Sequence, residues 1–428
     1  MLRLIYTAIF YLALPIYFVR LIIRGIRNPD YLKRWRERLG YGTNLPTEGK
    51  KLLWIHAVSV GEVNASIPLI RSLLDKYSNT EILVTTSTPT GSQILLDKIG
   101  TRVKHQYVPL DLPFCLNQFL DRWKPKACIV LETEIWPNML AKCKERKIFT
   151  ALVNARLSEE SKEKYKTIKN LASETLNNLD LLIAQYESDA SRFKELNNTL
   201  KIEVYGNLKF DQEIPNEMQS ISSSIRESWS DGEHRPTLIA ASTHETEEEF
   251  VLEAFLKILS EVKEALLIIV PRHPERFTKV HDYILDKKLS VARRSLKEEV
   301  SHSTEVLLGD TMGELNFLYS VSDVAFVGGS LIDHGGQNLL EPASLGLPIC
   351  SGESLRNFKE IAEELEKNKA LKLIKEKEDL SAYFLEMISN VKKRDNIGKA
   401  STKVFENNRG VLLKINTSLD KHLSKILA

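Results

Sequence analysis

The chain has 428 residues, 43% of them hydrophobic and 27% charged, with a formal net charge of +2. That length exceeds one ordinary core and implies two or three domains, while the proportions are those of a soluble globular protein. The charge is too small to argue for nucleic acid. The four cysteines, Cys115, Cys128, Cys143 and Cys350, form neither a CxxC pair nor a cluster with histidine, which argues against zinc and disulfides.

The first residues depart from that composition. From Leu4 to Val19 the chain reads LIYTAIFYLALPIYFV without a charge, and Arg20 and Arg24 interrupt the apolar residues that follow. A spanning helix needs about 20 residues, so residues 1–25 are expected to form a retained anchor that either spans the membrane or lies in its interface. A basic block follows, with Arg20, Arg24, Arg27, Lys33, Arg34, Arg36 and Arg38 against Asp30 and Glu37. By the positive-inside rule this puts the body on the cytoplasmic side. A cleaved signal peptide is disfavoured, because the charge lies on the wrong flank and no small-residue cleavage site is present.

Next come short apolar runs at 52–58, 82–86, 103–110, 128–131, 149–153 and 181–184, with helical patterns between them. The serine-rich stretch 211–235 breaks this rhythm and reads as a linker. A second alternating set follows at 237–241, 266–270, 289–292, 306–308, 324–327 and near Ile349, and the chain from Leu380 onward reads as helical. Strand and helix alternating at this spacing predict an α/β protein of two Rossmann-like, doubly wound halves facing a cleft. The expected boundaries are 26–210 for the first half, 236–405 for the second, and 406–428 for a helical tail that braces the first. Neither GxGxxG nor a P-loop occurs, which disfavours a nicotinamide enzyme or a nucleotide triphosphatase.

Doubly wound sheets hold ligands at the carboxyl ends of their strands. There the sequence offers Glu62 after Ser59-Val60-Gly61, the set TTSTPTG (85–91), Glu132 and Glu134 in LETEIWPN, and Lys209 in GNLKFD. The second half offers Ser242 and Thr243, then Pro271, Arg272 and His273, then GDTMGE (309–314), and finally VGGSLIDHGGQNLLEPASLGLP (327–348). The last reads as strand, glycine loop and helix start, a place where unpaired N–H groups suit a phosphate. Arg272 between two prolines is a rigidly presented guanidinium. Glu62 also reads as a plain first-turn acid, and Glu132 and Glu134 as structural acceptors. His56, His244 and His273 lack zinc spacing and Asp-x-Asp is absent, so the positive charge for an anionic ligand is expected from the protein.

Taken together, the basic exit RWRERLGYG and the motifs HAVSVGE, LETEIWPN, NARLS, GNLKFD, PRHPERF, GDTMGEL and GGSLIDHGGQNLLEP resemble, in that order and over essentially the whole chain, the 3-deoxy-D-manno-octulosonic acid (Kdo) transferases of lipid A biosynthesis. The resemblance implies a glycosyltransferase B fold at the inner membrane. It also implies inverting transfer of Kdo from CMP-Kdo to the distal glucosamine of a tetra-acylated lipid A precursor (lipid IVA), with no metal and no cofactor. On this reading Glu62 is the general base, and Glu132 and Lys209 stabilise the transition state. CMP is held by Pro271 and Arg272, by Met312, Gly313 and Glu314, and by Asn338, Leu339, Leu340 and Glu341. Gln337 stands where the family often has histidine. The competing class is a transferase using a UDP-sugar and another lipid, or a two-domain binding protein.

Overall fold

The computed structural model describes residues 2–42, 46–211, 217–230 and 234–427, with the side chains of 27 and 217–221 outside the description. The chain forms two compact units, Met1–Gln212 with Gly410–Ala428, and Glu213–Arg409.

In the first unit, strands β1 (Lys51–His56), β2 (Thr80–Thr86), β3 (Lys104–Tyr107), β4 (Ala127–Leu131), β5 (Phe149–Ala155), β6 (Leu181–Ala184) and β7 (Ile202–Val204) pair in the order β3-β2-β1-β4-β5-β6-β7. Every pairing is parallel. Alternate residues serve opposite core layers: Leu53, Ile55 and Ile129 point to one, and Leu52, Trp54 and Val130 to the other. A strand covered on both faces must be apolar throughout, and that is why these runs stand out in the sequence. The short edge strand β7 is only half-buried and escapes that signal.

The helix Val411–Leu427 also belongs to this unit. Val411, Ile415, Leu419 and Leu423 recur every four residues and enter the first layer, while Asp211 accepts hydrogen bonds from the N–H groups of Gly410 and Leu412 at the start of the helix.

The second unit repeats the plan with β8 (Thr237–Thr243), β9 (Leu266–Pro271), β10 (Val291–Arg293), β11 (Val306–Leu308), β12 (Val324–Val327), β13 (Ile349–Ser351) and β14 (Leu371–Leu373), ordered β10-β11-β9-β8-β12-β13-β14. Strand β14 is a further addition to the sequence reading. The stretch 211–235 is not a plain linker, because Glu217–Ser228 forms a 12-residue helix. Ile225 and Trp229, four residues apart, pack on the core of this unit and stabilise it, while 212–216 and 231–233 lie outside the described residues. The helix Val391–Asn407 runs past the expected boundary at 405.

Winding reverses between β1 and β4 in the first sheet and between β8 and β12 in the second. Such a reversal leaves a crevice at the carboxyl edge, the place where open α/β sheets bind ligands.

Candidate active site

In the first unit, the residues following β1 and β4 sit at that reversal. Ser59 caps the helix Val60–Lys76, its Oγ accepting from Glu62 N–H at 3.2 Å. Glu62 returns the bond: its carboxylate accepts from Val58 N–H at 2.7 Å and from Ser59 Oγ at 2.9 Å. This resembles a capping box reaching one residue further back, and it fixes the side chain in one rotamer. Glu62 is 6% exposed, and burial, followed by the charge of Glu134, pushes its carboxyl up to about 8 against those two hydrogen bonds. A carboxyl raised in this way favours the fold as the neutral acid. Its contribution is complete below the ordinary carboxyl range and is lost as pH rises through about 8.

Glu132 follows β4 with φ at 55°, a left-handed conformation rarely adopted by non-glycine residues, and such strain concentrates at functional positions. Lys209 Nζ stands 3.1 Å from Glu132 Oε1. The contact is an ion pair without hydrogen-bond alignment, since that buried oxygen accepts no hydrogen bond among the described residues. Lys209 is held there through Asn154, also at φ 55°, whose Oδ1 accepts from Leu208 N–H at 2.9 Å. Buried Leu208 and Phe210 anchor the same turn. Glu134 accepts from Trp136 Nε1 at 2.6 Å, and burial pushes its carboxyl up. The site therefore gathers one buried and two half-buried acids, with Lys209 paired to Glu132.

Other candidates of this unit have structural work. Thr85 Oγ1 accepts from Trp54 Nε1 at 2.8 Å and meets His56 Nδ1 at 2.9 Å, and Thr88 caps the helix Pro89–Ile99. His56 is fully buried, and that burial pushes its imidazole down to about 3, so the ring is neutral.

In the second unit, Arg272 follows β9 and is exposed, its N–H donating to Thr243 O at 2.9 Å. His244 is buried beside it, its ring 5.2 Å from that of His273 and 4.5 Å from that of His334. Burial and these neighbours push His244 down to about 4. The neutral ring takes the Gln337 amide at 3.3 Å on Nε2. Glu314 is paired with Arg294 at 2.8 Å, which lowers its carboxyl, while Met312 is 66% exposed and Gly313 turns at φ +85°.

The glycine stretch differs from its sequence reading. The helix starts at Leu340, with Glu341 and Pro342 in its first turn, and is only five residues long, too short for much of a dipole. Asn338 Oδ1 already accepts from Leu340 N–H at 3.1 Å, and its amide donates to Glu341 Oε1 at 3.1 Å. Leu339 and Leu340 are 0% and 2% exposed, so their side chains belong to the core and only their backbone could meet a ligand. The N–H groups after β12 are not free either. Glu247 accepts from Gly329 at 2.7 Å, Ser330 at 2.9 Å, Leu331 at 3.0 Å and His244 at 3.0 Å. A Cβ on Gly328 would lie 2.8 Å from Ser242 O and 2.9 Å from a Glu247 oxygen, so only glycine fits over this carboxylate.

Residues 33–212 match the family model described as 3-deoxy-D-manno-octulosonic-acid transferase, and residues 232–404 match the model of glycosyl transferases group 1. The 3-deoxy-D-manno-octulosonic acid transferase of Haemophilus influenzae is 37% identical over 425 residues, covering 99% of each chain. That of Rickettsia bellii is 30% identical, covering 96% of this chain and 97% of the relative. The chain belongs to the Kdo transferase family. Among solved structures, a glycosyltransferase from Rickettsia africae aligns at TM-score 0.57 and 14% identity over 88% of this chain and 99% of the other. The UDP-GlcNAc 2-epimerase from Neisseria meningitidis aligns at TM-score 0.56 and 14% identity over 85% and 100%. At such identities these share the fold alone, and this Kdo transferase has the two-unit glycosyltransferase B architecture.

Of the residues expected to act in this Kdo transferase, the structure brings Glu132 and Lys209 together and sets Glu62 within electrostatic reach of Glu132 and Glu134. Sequence reasoning missed Glu247, because the run Glu247-Glu248-Glu249 looks like ordinary first-turn acid. It also missed the positioning role of Asn154, which lies buried inside β5; an asparagine ending the apolar run 149–153 and opening NARLS was the available signal.

Proposed function

We propose that the protein transfers Kdo from CMP-Kdo to the distal glucosamine of lipid IVA, with inversion and without a metal, at the cytoplasmic face of the inner membrane. The observation that carries the mechanism is Glu62, a carboxylate at the reversal point of its sheet, oriented by Val58 and Ser59 and raised toward the range of a working base. Glu62 takes the proton of the acceptor hydroxyl as its oxygen attacks the anomeric carbon. The bond from that carbon to the CMP phosphate breaks, and its electron pair leaves with CMP. Lys209, balanced by Glu132, meets the Kdo carboxylate. Arg272, exposed at the end of β9, meets the CMP phosphate with the backbone around Met312 to Glu314 and Asn338 to Glu341.

Two measurements test this. With CMP-Kdo and a tetra-acylated acceptor, mass spectrometry shows product heavier by whole Kdo units, and CMP inhibits where UDP does not; inhibition by UDP alone would move the protein to the competing class. The second is pH. With Glu62 as base, transfer rises about tenfold per pH unit and levels near 8, and Glu134→Gln, which removes a neighbouring negative charge, shifts the inflection downward. A rate flat from pH 6 to 9 would remove Glu62 from the chemistry.

A further inference from the structure

The helix Leu2–Arg27 is 26 residues long, about 39 Å at the usual rise. Along that length one face is covered: Tyr6, Phe10, Leu14, Tyr17, Leu21 and Gly25 recur at helical spacing and are all half-buried or buried. Phe10, Leu14 and Tyr17 pack on Leu110, Leu112 and Cys115 of the body. The polar contacts lie at the start. Arg3 pairs with Glu145 at 3.1 Å, Tyr6 donates to Asp111 at 2.9 Å, and Asn138 donates to Thr7 at 2.9 Å. Near the other end Phe18 meets Trp35 edge-on at 6.2 Å, and Gly25 lets Leu32 approach closely. Every one of these partners belongs to the first unit.

The opposite face is a second stripe of the same period. Ile5, Ile9, Leu12, Ile16, Val19 and Ile23 are all exposed, Leu12 at 81%. Arg20, Arg24 and Arg36 are exposed near its end, and Trp35 is 44% exposed. Aliphatic side chains edged by cations and an indole suit an anionic lipid surface, whereas pairing two copies through this face would bring those cations together.

We propose that this helix lies flat in the membrane interface, one face docked on the body and the other in lipid, so that both of its ends remain on the side of the membrane that holds the body. The geometry decides against a spanning helix. By length and composition the segment Leu2–Ile26 could cross a bilayer, but standing it there would break the Glu145, Asp111 and Asn138 contacts and carry Arg3 through the hydrocarbon. This rests on the proposed membrane acceptor only for its purpose; the test below needs no substrate and stands or falls apart from the transfer reaction.

The experiment uses the full chain in vesicles of phosphatidylethanolamine and phosphatidylglycerol. Nitroxide labels are placed on cysteines introduced singly at Ile5, Leu12, Val19 and Ile23; the native cysteines are all buried. Depth is read from collision with oxygen against a water-soluble nickel complex. The expected result is one common depth for all four labels, about 5–10 Å into the headgroup and acyl boundary. A profile deepest at Leu12 and shallow at Ile5 and Ile23 would establish a spanning helix and overturn the proposal. Spin–spin broadening with loss of both collision partners would assign the face to a second copy and overturn it equally. Leu12→Glu and Ile16→Glu should each lower vesicle partitioning by about tenfold, with CMP binding kept as the sign of an intact fold.

Discussion

Glu62→Gln should lower Kdo transfer by about 100-fold or more while CMP affinity, measured by calorimetry, stays near wild type. The substitution separates chemistry from structure because the local bonds survive it. The glutamine carbonyl can still accept from Val58 N–H, and its amide can turn to Ser59 Oγ, so the start of the helix Val60–Lys76 keeps its cap. What disappears is the group proposed to take a proton. Glutamine also mimics the neutral acid that the buried site prefers, so the variant should lose the decline in stability that wild type shows as pH rises through about 8. CMP is assigned to the second unit and Glu62 lies in the first, so a folding defect would show as joint damage to binding and transfer. Transfer near the wild-type rate would reduce Glu62 to a helix cap.

Glu247→Ala should abolish measurable CMP binding, a loss of about 100-fold or more, and lower the melting temperature of the second unit by roughly 6–12 °C, from about 3 kcal/mol of lost stability. Four backbone N–H groups converge on this one carboxylate, which is 1% exposed. Removing it strands all four in a space too tight for compensation, because the Gly328 backbone lies directly against the end of β8. The loop from Gly328 to Leu331 then has nothing to close around. Glu249→Ala is the matched control: it removes an exposed acid from the same helical turn and should change neither quantity beyond a few tenths of a kcal/mol. Equal effects of the two substitutions would show that the loop is held by other means.

These two glutamates show what could be read from the sequence and what could not. Glu62 follows an apolar strand and lies in the first turn of an amphipathic helix, so its place at a carboxyl edge is legible from local pattern alone. The ion pair of Glu132 with Lys209 joins residues far apart in sequence, and only the order β4-β5-β6-β7 brings their strands to one edge. Glu247 is harder still. In a run of three acids nothing local separates Glu247 from Glu248, which is also buried but pairs with Arg276, or from the exposed Glu249. The core strands were legible because burial on both faces demands unbroken apolar runs, whereas β7 and β14 are partly exposed edge strands and carry too little of that signal. The glycine stretch misled for a related reason: Gly335 and Gly336 before a run of helix formers suggested free N–H donors, but Glu247 and Asn338 already hold several of them.

The helix Val411–Leu427 completes the core of the unit that contains the N-terminus. During synthesis the chain therefore emerges in an awkward order. Glu213–Arg409 is contiguous and can finish folding while the earlier half still waits for its last helix. Until residues 411–427 leave the ribosome, the apolar groove meant for Ile415, Leu419 and Leu423 stays open. A chain cut short before residue 411 thus carries its Glu62-bearing half with that groove unfilled, and this unit completes its core only when its last-made helix is released.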